Sequence, residues 1–150
     1  PVHQEISVEK RKERIISVFN GLNKDSMSIL DTFYHPELSF QDPVGTVHGL
    51  DSMKKYYLNM YKNVKSIRFD FSKILQDGSE YVGFWKMYLK VPDLNGGEEF
   101  AIDGNSHIRF DESTDLVIYH RDYFDMGDFI YERIPVLKNL IQFIKKKLAH

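Results

Sequence analysis

The sequence predicts an α+β fold: a cone-shaped, curved antiparallel sheet wrapped around N-terminal helices, with an added C-terminal helix. Three observations predict it. Apolar residues recur at helical spacing before residue 64 and again after residue 134. Between those segments the pattern switches to period two, as strands require. Turn-forming clusters separate the period-two runs, so sequential strands should pair antiparallel. With 150 residues, 42% apolar and 28% charged, residues 1–150 fit one globular domain rather than a disordered chain.

Ser7 can cap a first helix, with Glu9 near the positive end of its dipole. Ile15, Ile16, Phe19 and Leu22 form its apolar face, and Asn20-Gly21 and Asn23-Lys24-Asp25 break it. A short second helix from Asp25 or Ser26 carries Ile29, Leu30 and Phe33. It ends at "YHPEL", because Pro36 disfavours helix at His35. The short strand "LSFQD" puts Leu38, Phe40 and Asp42 on one face, and "PVGTVHG" is a loop. Asp51 caps a third helix bearing Met53, Tyr57, Met60 and Tyr61.

Four long strands follow. "VKSIRFDFSKIL" places Ile67, Phe69 and Phe71 on one face, and "EYVGFWKMYLKV" offers Trp85, Met87 and Leu89. "EEFAIDGNSHIRF" offers Ser106 and Ile108, and residues 116–124 make the last strand. "QDGS", "PDLNGG" and "DESTD" are the turns; the Asn95-Gly96-Gly97 step lacks the strand-to-helix setting of a phosphate loop. Pro135 opens a final helix that runs to about Leu148. Three helices on one face of a bent sheet leave a pocket at the wide end of the cone.

Composition removes several classes of function. A formal charge of -2 gives no net drive toward nucleic acid. The absence of cysteine excludes disulfides, thiolate nucleophiles and Cys-based zinc sites. No apolar run approaches the roughly 18 residues of a transmembrane helix, and "PVHQEISVEKRKER" lacks the apolar centre of a signal peptide, so a cytoplasmic protein is expected. No cofactor is called for. His107, His120 and Asp122 together suggest a metal only weakly, because they are divided between two strands with no specifying spacing, and no metal is expected. His35 and His48 fall in turns and should face solvent.

The informative stretch is "VIYHRDYFDMGD" from Val117 to Asp128. Even-numbered residues Leu116, Ile118, His120, Asp122 and Phe124 share one face of this strand, apolar at both ends with His and Asp between, as a pocket wall would be. Odd-numbered Arg121 and Asp125, set among aromatics, suit a subunit interface or a half-solvated surface. A buried Asp in an aromatic pocket has its pKa raised by desolvation. Two carboxylates in one cavity, Asp42 and Asp122, would separate their proton affinities and so could run acid–base chemistry near neutral pH. Asp42 precedes Pro43, so a turn role, bonding its own backbone, stands beside the catalytic one. For Asp122 with His120, a functional polar centre is favoured over a local ion pair.

The order of elements, with "FQDPVG" after the second helix and "HRDYFD" on the last strand, resembles the nuclear transport factor 2-like superfamily over nearly the whole chain. Ketosteroid isomerase, limonene epoxide hydrolase and the SnoaL-like polyketide cyclases share that fold. The resemblance implies a cone-shaped barrel, usually dimeric, with a cavity for small apolar molecules. "DPVG" looks like the isomerase segment that carries the catalytic base, which places Asp42 in that role. The same match puts Val18 at the position of the isomerase's Tyr donor and Ser106 at that of its acid donor. "RDYFD" looks like the hydrolase strand that supplies a catalytic aspartate, which places Asp122 there. The hydrolase's Arg–Asp pair falls on Phe84 and Lys86 or on Trp85 and Met87, depending on register.

The sequence thus leads to a cavity protein for a small apolar ligand, with Asp42, Asp122 and His120 as candidate catalytic residues. Phe40, Tyr57, Trp85, Met87, Ser106, Ile108 and Phe124 are the candidate substrate contacts. Acid–base isomerisation, cyclisation or hydration would suit the carboxylates. A non-catalytic binder of a hydrophobic ligand, or a protein-interaction module, are the alternatives. A homodimer through the sheet is expected. On the last helix, Ile134, Leu137, Ile141, Ile144 and Leu148 form an apolar stripe beside Lys138, Lys145, Lys146 and Lys147. Packing against the body is the first expectation for it, ahead of a lid over the cavity or a membrane-surface helix.

Overall fold

In the computed structural model, residues 2–23, 25–130 and 133–149 are described; Lys24, in the expected break after the first helix, lies outside them. The chain runs α1 (Val2–Gly21), a 3-10 turn (Met27–Thr32), β1 (Tyr34–Gln41), β2 (Thr46–His48), α2 (Leu50–Asn63), β3 (Ser66–Asp77), β4 (Glu80–Lys90), β5 (Phe100–Asp111), β6 (Leu116–Phe124), the short α3 (Met126–Phe129) and α4 (Pro135–Ala149). The six strands form one open sheet in the order β2-β1-β6-β5-β4-β3.

The four long strands form the expected antiparallel meander. The sheet is nonetheless mixed, because β1 joins β6 in parallel and β2 folds back antiparallel on β1. The "YHPEL" segment lies in β1 rather than ending a helix, since Pro36 suits a strand near the sheet's edge. His35 and His48 accordingly sit on strands, not in turns. Ser7 lies inside α1, which begins earlier than its capping residue suggested, and Gly49 rather than Asp51 precedes α2, with a φ of 88° that favours glycine.

Two bulges bend the meander. Ser72 is the extra residue of β3 against β4, and Ile118 that of β6 against β5. The second bulge overturns simple parity on β6. Val117 is buried in the core with 0% exposure, whereas its neighbours Leu116 and Ile118 are only partly buried. Beyond the bulge the inward side passes to His120, Asp122 and Phe124. Burying the Val contributes roughly 1.5–3 kcal/mol, more than the roughly 0.5–1.5 kcal/mol of one ladder hydrogen bond, so the irregularity is favourable.

α1 lies against β3, and α2 against β1 and β2. One core joins Ile15, Val18 and Leu22 of α1 to Leu30, Phe33, Leu38 and Val117. Ile16, expected in that face, is 39% exposed, and Val18 takes its place. A second core holds Trp85, Met87, Leu89, Phe100 and Ile102 of β4 and β5. Arg11 on α1 ties the helix to the β5–β6 turn, bonding Asp115 at 2.8 Å and Glu112 at 3.1 Å, with its guanidinium over the Phe110 ring. α4 keeps most of its apolar stripe in solvent, contrary to the packing expected first.

Candidate functional site

A cavity of about 610 Å³ opens between the inner face of the sheet and the helices. Its wall is made of side chains that the two periodicities aim inward. Val18, Phe19 and Leu22 come from α1, Tyr56, Tyr57, Met60 and Tyr61 from α2, and Ile67, Phe69, Met87 and Leu89 from β3 and β4. Phe40, Asp42, Asp122 and Phe124 close it on the β1–β6 side, with Phe129 and Ile130 after them. Among the described residues, the only carboxylates in this apolar wall are Asp42 and Asp122, and no Lys or Arg faces it.

Asp122 is the end point of a buried hydrogen-bond chain. Trp85 Nε1 donates to Ser106 Oγ at 2.9 Å, and Ser106 Oγ donates to Asp122 Oδ1 at 2.5 Å. From the other side, His120 Nε2 meets the same Oδ1 at 2.6 Å, and Tyr34 OH meets His120 Nδ1 at 2.6 Å. The Tyr57 phenol neighbours the Tyr34 hydroxyl. An indole N–H only donates, so the serine must accept from it and pass its own proton toward the carboxylate. In the arrangement that satisfies every group, Tyr34 donates to Nδ1, and Nε2–H to Asp122. Burial pushes the Tyr34 and Tyr57 phenols well above their ordinary value, which keeps them as donors. Both bonds to Asp122 fall on Oδ1; among the described residues none falls on Oδ2.

One glycine makes this chain possible. A Cβ on Gly104 would stand 2.4 Å from Trp85 Cη2, so the indole lies flat across β5 only because no side chain is there. That position brings Nε1 to Ser106, two residues along the same strand.

Asp42 is held differently. It follows β1, and its Oδ1 accepts from the backbone N–H of Val44 at 2.8 Å and Gly45 at 2.9 Å, an Asx turn. Its Oδ2 accepts a short hydrogen bond from Tyr56 OH. Burial raises its pKa, opposed by the Tyr56, Gly45 and Val44 hydrogen bonds and aided by the Asp122 charge. The Tyr56 phenol is raised as well, first by burial and then by its bond to Asp42. Burial pushes Tyr61, farther along the wall, up to about 12.

A family model for the SnoaL-like domain matches residues 15–120, more than half of the chain. The chain belongs to the SnoaL-like domain family. Its fold is that of the nuclear transport factor 2-like superfamily. A protein of that fold and unknown function from Burkholderia pseudomallei superposes with a TM-score of 0.71 at 13% identity, covering 83% of this chain and 97% of the other. A candidate SnoaL-like polyketide cyclase from Shewanella denitrificans gives 0.69 at 18% identity, covering 83% and 93%. A protein with a ketosteroid isomerase-like fold from Catenulispora acidiphila, in complex with trimethylamine, gives 0.69 at 12% identity, covering 82% and 90%. No curated protein matches.

In this SnoaL-like domain the structure brings Asp42 and Asp122 to one cavity, with Phe40, Tyr57, Met87 and Phe124 on its wall. The other named residues stand behind that wall. His120 and Ser106 are fully buried and touch Asp122, Trp85 is 3% exposed under Phe69 and Phe124, and Ile108 belongs to the first core. Those four do not contact the cavity, because the indole and the His ring fill the layer beneath it. On β4 the inward register is Trp85 and Met87, while Phe84 and Lys86 face away. Val18 lines the cavity as an apolar group. His107 is on the outer face, bonded to Glu80 at 2.8 Å and packed on Tyr119. Among the described residues no cluster of three or more His, Asp or Glu is placed to hold a metal ion. Asp125 is exposed, as a half-solvated surface requires, and it caps α3, accepting from Gly127 N at 2.7 Å.

Tyr34 and Tyr56 were missed. Tyr34 was hidden because the segment around Pro36 reads as a turn. Tyr56 does carry a signal, since Tyr56, Tyr57, Met60 and Tyr61 recur at spacings of one and four, a wide helical face.

Proposed function

We propose that this SnoaL-like domain binds a small, largely apolar molecule and moves protons on it, in the manner of an isomerase, cyclase or hydrolase, without a cofactor. The observation that carries this reading is the buried chain of donors converging on Oδ1 of Asp122, a carboxylate that lines the cavity and whose Oδ2 no described residue bonds. Asp122 is the proton-transfer group. His120 and Ser106 are positioning residues that fix its orientation. Asp42, with a pKa raised by burial and Tyr56 on its second oxygen, is the second acid–base group. A bound molecule that leaves a carbonyl or hydroxyl near the β1–β6 side of the cavity meets both carboxylates, so one can take a proton while the other, or Tyr56, gives one back.

The wall also selects by charge. Two carboxylates and several phenols, with no Lys or Arg among the described residues, disfavour an anionic ligand, while the aromatic rings accept neutral or cationic groups. In this reading the domain works in the cytoplasm as a homodimer paired through the outer face of its sheet, where Phe84 and Tyr123 are 38% and 42% exposed. Light scattering tests the dimer; a monomer at high concentration overturns it.

Native mass spectrometry of the purified chain is the direct test for a carried ligand. Isomerase, cyclase and epoxide substrates are then screened against wild type, Asp122→Asn and Asp42→Asn. Turnover lost in Asp122→Asn with binding retained supports proton transfer. Binding that survives both changes, with no turnover in the wild type, favours the non-catalytic binder.

A further inference from the structure

The C-terminal helix α4 is the largest feature that the cavity does not use. It is 15 residues long, "PVLKNLIQFIKKKLA", with four lysines and no acidic residue. At 3.6 residues per turn its large apolar side chains fall within roughly 160° of arc, and Lys138, Lys145 and Lys146 lie on the opposite side. That apolar face is in solvent: Val136 is 79% exposed, Leu140 54%, Phe143 59%, Ile144 48% and Leu148 84%. An isolated exposed Leu is ordinary, but a contiguous stripe of this width marks a contact surface.

We propose that α4 is an interfacial helix that lays this face into the surface of an anionic phospholipid membrane. Charge decides for lipid over a second copy of the chain. The chain is -2 overall although this helix carries only lysines, so a basic helix is joined to a body that is itself acidic. An anionic surface therefore attracts α4 and repels the rest, which orients the domain. Two copies of α4 packed face to face would instead bury Lys147, which falls within the apolar arc, whereas at a membrane surface its ammonium stays among the headgroups. Lys147 lies between Phe143 and Leu140 in that arc, with its ammonium 5.5 Å from the Phe143 ring centroid, so its stem lies along apolar surface while its head can reach headgroups. The helix is too short and too charged to span the bilayer, and no helix among the described residues is long and apolar enough to do so. Phe129 and Ile130 of the cavity wall precede Pro135 by a few residues, so docking through α4 holds that side of the cavity toward the lipid.

The test is flotation of the full chain with vesicles of phosphatidylcholine alone and of phosphatidylcholine with phosphatidylglycerol. The expected result is flotation with the anionic vesicles, lost at high salt. Lys146→Glu combined with Lys147→Glu should weaken it by roughly thirtyfold or more, at about fivefold for each lysine lost near an anionic surface. Leu140→Ser with Phe143→Ser should abolish it. All four residues are exposed, so circular dichroism should show both variants folded with an unchanged Tm. Flotation that is absent, or equal on both kinds of vesicle, overturns the proposal. So does a dimer that Leu140→Ser with Phe143→Ser converts to monomer without any flotation in the parent chain; that result makes α4 a protein interface.

Discussion

The centre of β6 and the loop after β1 each deliver one carboxylate to the same cavity, by different means. Asp122 sits on a strand and is held by side chains: Ser106 from β5, His120 from its own strand, and behind them Trp85 of β4 and Tyr34 of β1. Asp42 sits in a loop and is held mainly by the backbone amides of its own turn, with Tyr56 as its one side-chain partner. A carboxylate fixed by buried side chains depends on residues far apart in sequence, and each link can be cut singly. A carboxylate fixed by its own turn depends on a local sequence and little else. The first arrangement gives an orientation that does not shift when a ligand enters; the second can adapt with its loop.

The sharpest way to break this comparison is to remove charge at each end. Asp122→Asn keeps an oxygen to accept from Ser106 and His120 but takes away the basic site. Turnover of whichever substrate the screen identifies should fall by about 10²–10⁴, the range of a lost general acid or base. Stability to urea should change little. Equal losses in Asp122→Asn and Asp42→Asn would mean that the two carboxylates act as one unit, and the contrast drawn between them would fail.

Cutting the support behind Asp122 should cost stability instead. His120 is 0% exposed and bonded on both ring nitrogens, so His120→Ala leaves the Tyr34 hydroxyl without its acceptor and opens a void among Phe19, Phe40 and Tyr34. A loss of about 3 kcal/mol is expected from urea titration. The matching change at the loop, Tyr56→Phe, removes one hydrogen bond from a partly exposed carboxylate and should cost about 1 kcal/mol or less.

The contrast also explains what could be read from the chain. The meander, α1, α2 and α4 are written in periodicity, and Asp42 and Asp122 are written in short local motifs, so both were legible. The bulge at Ile118 was not, because it arises where β5 and β6 must both keep an apolar residue, Phe110 and Val117, in the core. The placement of Leu116 and Ile118 on the inner face failed for that reason. The parallel seating of β1 on β6 joins residues such as Phe40 and His120 that are about eighty positions apart, and no local pattern encodes it. Trp85, Ser106 and His120 were expected at the cavity and lie behind its wall, because alternation alone cannot tell the first layer of a cavity from the layer behind it.

Gly104 gives a smaller and more specific test. A methyl group there collides with the indole of Trp85, so Gly104→Ala should cost about 1–3 kcal/mol through overpacking. Trp85 is the only tryptophan, so its emission reports on the displacement without interference. The emission maximum should shift and the Trp85–Ser106 hydrogen bond should be lost. An unchanged spectrum and an unchanged urea midpoint would show that the indole does not depend on the glycine.

The smallest expected effect belongs to the loop carboxylate and follows from the sign of its shift. Burial raises the pKa of Asp42 above its ordinary 3.8, so the fold disfavours the ionised form more than the unfolded chain does. Its contribution is therefore most favourable below the unfolded pKa and is lost as pH rises through the folded one. Asp42→Asn removes that titration while Asn can still accept from the Val44 and Gly45 amides. The urea midpoint of the variant, measured from about pH 4 upward and compared with wild type, should gain on it as pH rises. The difference should total no more than about 1 kcal/mol, because the turn amides and Tyr56 already offset much of the burial. A variant that loses ground with rising pH would mean that the ionised carboxylate is the favoured form in the fold, and that the Asx turn rather than the cavity sets the chemistry of Asp42.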